Sequence, residues 1–202
     1  MKRVPGCSSL RAMSVALPLL LICAPALAHA QKGQAAGFVT GLLHPVSGLD
    51  HVVAMIAVGL WGAQLGRPAI WALPVTFPLV MAVGGFLGLV GVPLPGTEVG
   101  IALSALALGL AVATAWRPPL GVAAAMVGFF AIFHGYAHGT ELPAGQSGLT
   151  YSLGFVMATG CLHAIGITIG LMHRWSAGRV MMRGLGALVA GAGVYFLAGV
   201  FS

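Results

Sequence analysis

The chain has 202 residues, of which 59% are hydrophobic and 6% charged, and its mean hydropathy is +1.02. A soluble domain carries about 25% charged residues, so a water-soluble fold is excluded and an integral membrane protein is indicated. The formal charge of +6 does not point to nucleic acid, because losing Lys2, Arg3 and Arg11 with an N-terminal leader leaves six basic residues against three acidic ones, in short loops.

Residues 1–28 read as a secretory signal peptide, leaving 29–202 as one transmembrane domain. Lys2, Arg3 and Arg11 form the basic start, and Ser14 to Leu27 the apolar stretch. Ala26-Leu27-Ala28 and Ala28-His29-Ala30 both offer small-residue cleavage sites. The rival is an uncleaved first helix. Cleavage after Ala28 makes His29 the new N-terminus, either an extra metal ligand or a solvated tail residue. Cys7 and Cys23 leave with the leader, and Cys161 reads as a packing residue, so no disulfide framework is expected.

A membrane span needs about 20 apolar residues. Six runs qualify: 49–66, 69–92, 97–116, 119–138, 149–172 and 180–201. They are continuously apolar rather than alternating, which favours helices over a barrel. The predicted fold is therefore all-α, a six-helix transmembrane bundle. Residues 35–43 are apolar but too few to cross; they read as an interfacial or re-entrant turn leading into a loop around His44, broken by Pro45 and Gly48. Gly59, Gly62, Gly66, Gly184, Gly191 and Gly193 suggest close helix packing.

Loop charge sets the orientation. Arg67, Arg117 and the group Arg174, Arg179 and Arg183 fall in the odd-numbered links, whereas the even links carry Glu98 and Glu141 and no Lys or Arg. Positive loops stay cytoplasmic. Both the mature N-terminus and the C-terminus are then periplasmic, in the inner membrane of a bacterium. All three carboxylates face outward.

Two of those three carboxylates lie in histidine clusters, where ionisable groups near hydrocarbon seldom lack a function. In the second cluster His134, His138 and Glu141 are spaced i, i+4 and i+7, so they share one helical face. That stripe offers two imidazoles and a carboxylate, ligands that divalent transition metals accept. In the first, His44 and His51 flank Asp50, and a turn at Pro45 and Gly48 is expected to bring His44 back toward Asp50. Ser47 and Asp50 also match a capping box before an apolar run; the capping and ligand roles are compatible. His163, midway along span five, reads either as a second site or proton carrier, or as a helix–helix hydrogen bond. Met55 reads as core, His173 as a headgroup contact, and Glu98 as an exposed cap unless buried.

The run His44-Pro-x-x-Gly48-x-Asp50-His51, followed by Ala54-Met55 and Gly59-x-Trp61, resembles the signature of the HupE/UreJ family of membrane metal permeases. Phe133-His134-Gly-x-Ala137-His138-Gly-x-Glu141 is similar to that family's other histidine motif. The resemblance covers nearly the whole chain. It implies uptake of nickel, sometimes cobalt, for hydrogenase or urease maturation. It also implies functional positions at His44, Asp50, His51, His138 and Glu141, with Glu98 and Phe77 where the family has residues important for transport.

The expected activity is inward passage of a divalent ion, with the metal as cargo and no prosthetic group. His44, Asp50, His51, His134, His138 and Glu141 replace its water; Glu98, His163, Phe77 and His29 are weaker candidates for the path. Ligand type alone leaves nickel, cobalt and zinc open. No G-x-x-x-x-G-K-[ST] pattern occurs, so ATP is not handled here. Partners are the ion and the lipid bilayer, with assembly into a homo-oligomer left open. The main rival is an intramembrane zinc-dependent hydrolase using the same cluster, although H-E-x-x-H is absent. A haem anchor using paired histidines fits poorly with nearby carboxylates.

Overall fold

The computed structural model describes residues 36–142 and 147–202; the predicted leader, its cleavage sites and His29 lie outside them. Among the described residues the secondary structure is entirely helical. The α-helices are α1 (Ala36–Ser47), α2 (Leu49–Leu65), α3 (Ala69–Leu89), α4 (Thr97–Ala113), α5 (Leu120–Thr140), α6 (Gly148–Gly170) and α7 (Ser176–Val200), with a 3-10 turn at Leu171–Arg174.

Each of the six predicted apolar runs is a helix. Helices α3, α5, α7, and α6 continued through its 3-10 turn are long and apolar enough to cross a bilayer. Helices α1 and α2 pass that test only together, bent by 83°, and α4 is a shorter apolar helix. At 1.5 Å per residue its 17 residues span about 25 Å. The side chains facing outward, such as Trp71, Leu79, Phe86, Leu188 and Tyr195, are large and apolar, as a lipid-facing surface requires.

Two expectations need correction. Residues 36–43 are helical rather than a turn, and α1 runs on through His44 and Pro45 to Ser47; its 83° bend to α2 is that of a broken span or a re-entrant segment. Proline costs a helix the hydrogen bond to the carbonyl four residues back, but here the helix ends two residues later. Gly37, Gly41 and Pro45 form its buried face, and a Cβ on Gly41 would run into the Tyr151 backbone of α6. The chain breaks at Gly48 alone. Likewise, the link before α7 is shorter than predicted, because α7 starts at Ser176 and takes in Arg179 and Arg183.

Small residues set the packing. A Cβ on Gly139 would collide with Gly85, and one on Gly84 with Ile132, which registers α3 parallel to α5. Gly59 lies against His163 and Gly166, giving a parallel α2–α6 pair, while Gly109 and Gly186 register α4 antiparallel to α7. Close backbone approach of this kind replaces the hydrophobic drive that lipid does not supply. Gly193 takes part, but Gly184 and Gly191 have nothing within 4 Å, so they are not packing glycines. Gly66 serves its conformation instead: it ends α2 at φ +81, where an L side chain is strained.

Helix α2 is the hub. It packs against α1, α3, α4, α6 and α7, and most of its residues are buried, including Met55, Leu60 and Trp61. One end carries Asp50 and His51. The other leads to Arg67.

Candidate metal centre

Both sequence clusters meet at one end of the bundle. His44, in the last turn of α1, crosses to the C-cap of α5, where its Nε2 lies 3.0 Å from Glu141 Oε2. Its ring also stands edge-on to His138, with centroids 4.8 Å apart. One ligand atom from each of His44, His138 and Glu141 lies within 4.8 Å of the other two, the one such group among the described residues. The i, i+4, i+7 stripe faces inward: His134 and His138 are buried, while the Glu141 side chain remains 56% exposed. The centre is thus graded from a wet carboxylate to dry imidazoles.

The bend at Gly48 positions the second half. Asp50 Oδ1 accepts from the His51 backbone N–H at 2.8 Å and lies 2.9 Å from His51 Nδ1. A carboxylate accepts only, so Nδ1 carries the proton, and in the neutral imidazole Nε2 presents a bare lone pair. That Nε2 is buried and has no partner. Asp50 therefore orients an imidazole, the carboxylate–histidine arrangement common behind metal ligands. Gly48 makes room for it: a Cβ there would sit 2.8 Å from Asp50 Oδ1 and 3.2 Å from His51 Nδ1. The predicted capping box does not form. Because α1 continues to Ser47, its hydroxyl bonds back to the His44 carbonyl at 2.6 Å, and α2 starts at Gly48 with no side-chain cap. His44 consequently pairs with Glu141 rather than returning to Asp50.

His51 joins the two halves. Its ring lies 4.5 Å from that of His138 and 4.7 Å from that of His134. His134 is held by a residue that sequence reasoning missed. Ser104 of α4 donates its hydroxyl to the Ile101 carbonyl at 2.6 Å, so at 2.9 Å it accepts from His134 Nε2. The free lone pair of His134 is then on Nδ1, which is buried and unpartnered. Both nitrogens of His138 are also unpartnered, and Phe155 packs on its ring at 4.2 Å. Buried polar groups are normally hydrogen-bonded, each orphan costing about 1–3 kcal/mol. Several lone pairs left bare side by side suit a cation that accepts them.

The remaining predicted residues divide. Phe77 is fully buried, 5.4 Å from both the His134 and the His163 rings. His163 is buried below it. Glu98 stands exposed in the first turn of α4, apart from the cluster. Met55 is core, and His173 Nδ1 contacts the Gly170 carbonyl. A second stripe also escaped the sequence reading: Tyr151, Phe155, Thr159 and His163, at intervals of four along α6, are all buried. Its only sequence mark is an i+4 recurrence of aromatic and polar residues in an apolar run.

The HupE / UreJ protein family model matches residues 17–196. The chain is 46% identical over 182 residues to Protein HupE of Rhizobium leguminosarum bv. viciae, covering 90% of this chain and 95% of that one. No solved structure matches. With apolar helices able to cross a bilayer several times and both histidine motifs joined in one centre, this multi-pass membrane protein belongs to the HupE/UreJ family.

Proposed function

We propose that the protein admits a divalent transition metal ion through the bacterial inner membrane without ATP, with nickel the first choice and cobalt the second. The observation carrying this reading is the His44–His138–Glu141 group, backed by unpartnered nitrogens on His51, His134 and His138. Membership of the HupE/UreJ family supports the metal role and supplies the order of metals. Neither the family nor the relative supports the rival zinc-dependent hydrolase.

In this reading α1 and α2 form one broken span, and the bundle has six. The five arginines among the described residues lie toward the end of the bundle opposite the histidine centre, with Arg179 and Arg183 in the first two turns of α7, and positive ends remain cytoplasmic. The centre therefore opens to the periplasm, and the C-terminus lies there too. Exposed Glu141 attracts the hydrated ion. His44 and His138 replace part of its water, and the lone pairs of His51 and His134 continue the path inward. Two charges crossing an inside-negative potential of 100 mV gain about 4.6 kcal/mol, enough to drive accumulation. The imported ion supplies maturation of a nickel enzyme such as a hydrogenase or urease.

The test is nickel accumulation in cells expressing the parent, Asp50→Asn or Glu141→Gln at matched protein levels. Accumulation should fall in both variants. Unchanged accumulation in both would remove the permease assignment.

A further inference from the structure

The histidine centre does not account for the lower half of the second stripe. His163 is 2% exposed and Thr159, one turn nearer the centre, is fully buried, yet Thr159 Oγ1 has no hydrogen-bond partner and neither ring nitrogen of His163 makes a hydrogen bond of good geometry. Helix α3 supplies a third polar group. Pro78 has no N–H to give to the carbonyl of Pro74, the acceptor an ordinary residue would have bonded. That carbonyl faces one ring nitrogen of His163 as an acceptor, a helix-to-helix contact that leaves the other ring nitrogen bare. Phe77, on the same helix, packs against the rings of both His163 and His134, at equal centroid separations of 5.4 Å. An imidazole lone pair, a hydroxyl and a carbonyl that no helix N–H takes up thus collect beside an aromatic ring that adjoins the last imidazole of the outer file.

We propose that His163, with the Thr159 hydroxyl and the Pro74 carbonyl, forms a second, inner station for the divalent ion, and that Phe77 is the partition the ion passes to reach it. This rests on the permease reading above. The station has no carboxylate, so it holds the ion more weakly than the outer centre. A weak inner site suits release toward the cytoplasm. The donors are one nitrogen and two oxygens, a set compatible with nickel or cobalt.

The test uses the full chain in lipid nanodiscs with Co(II) as the probe, in a Cys161→Ala background because Cys161 is exposed. His163→Cys should give a thiolate-to-cobalt charge-transfer band on adding Co(II), and Ile165→Cys, a position facing outward, should not. In cells, His163→Ala should lower accumulation by about tenfold, at the lower end of what losing a metal-supporting group costs. It should leave the outer centre's Co(II) affinity unchanged. Thr159→Val, which keeps the side chain's shape, should lower accumulation by a smaller factor with normal protein levels. No charge-transfer band at His163→Cys, or an equal band at Ile165→Cys, would overturn the inner station while leaving the outer centre standing. A parent protein that binds no Co(II) would overturn the permease reading, and the inner station with it.

Discussion

At its arginine end α2 buries Trp61 and Gln64, and both donate to main-chain carbonyls at the end of α4: Trp61 Nε1 to Trp116 at 3.0 Å and Gln64 Nε2 to Val112 at 3.2 Å. At its histidine end the same helix meets α5, and there His51 Nε2, His134 Nδ1 and both nitrogens of His138 are buried without partners. One orphan atom, Gln64 Oε1, stands against these four and Tyr151 Oη beside His44. Both ends are buried in the same bundle, so burial does not explain the difference. The arginine end fastens two helices. The histidine end holds its donors and lone pairs open, with Asp50 and Ser104 fixing which nitrogen is bare. In the proposed reading, an unfilled end of this kind is unfavourable in the empty protein and becomes favourable once an ion accepts the lone pairs.

The contrast is broken most severely by His138→Leu. Removing a ligand should weaken nickel binding by about 100-fold, at least the upper range seen when groups supporting a metal are lost. The empty protein should keep or raise its thermal midpoint, because an apolar side chain replaces unpaired nitrogens. A nickel titration beside a melting curve checks both. Asp50→Asn comes next: the amide no longer holds the proton on His51 Nδ1, and affinity should drop about tenfold, measured by calorimetry. Gly48→Ala should displace Asp50 from His51, given the 2.8 Å approach to its carboxylate, and weaken nickel by less than Asp50→Asn. The smallest effect belongs to the other end. Gln64→Leu should cost about 1 kcal/mol of stability and leave nickel affinity unchanged, because Val112 still accepts from the Ala115 backbone N–H.

Much of this was legible in the sequence. Continuous apolar runs separated by Pro and Gly located the helices, since Pro-rich links such as Arg117-Pro118-Pro119 interrupt the main-chain ladder where α5 begins. The i, i+4, i+7 spacing placed His134, His138 and Glu141 along one face, with both imidazoles buried and the carboxylate exposed at its end, because α5 runs unbroken to Thr140. Local rules failed where tertiary packing decided. Pro45 looked like a helix end, but the face it shares with Gly37 and Gly41 is buried, and α1 carries His44 past the expected turn. Ser47 and Asp50 fitted a cap by spacing, yet one sits inside a helix and the other is drawn to an imidazole. Ser104 and the α6 stripe were missed because a single hydroxyl in an apolar run looks like packing until its partner on another helix is known.

The most direct measurement is X-ray absorption at the nickel edge on the nickel-loaded protein in lipid. The account predicts a nitrogen and oxygen shell with the outer-shell scattering of at least two imidazoles, from His44 and His138, and loss of imidazole scattering in His138→Leu. An all-oxygen shell, or an imidazole signal unchanged by that substitution, would contradict it.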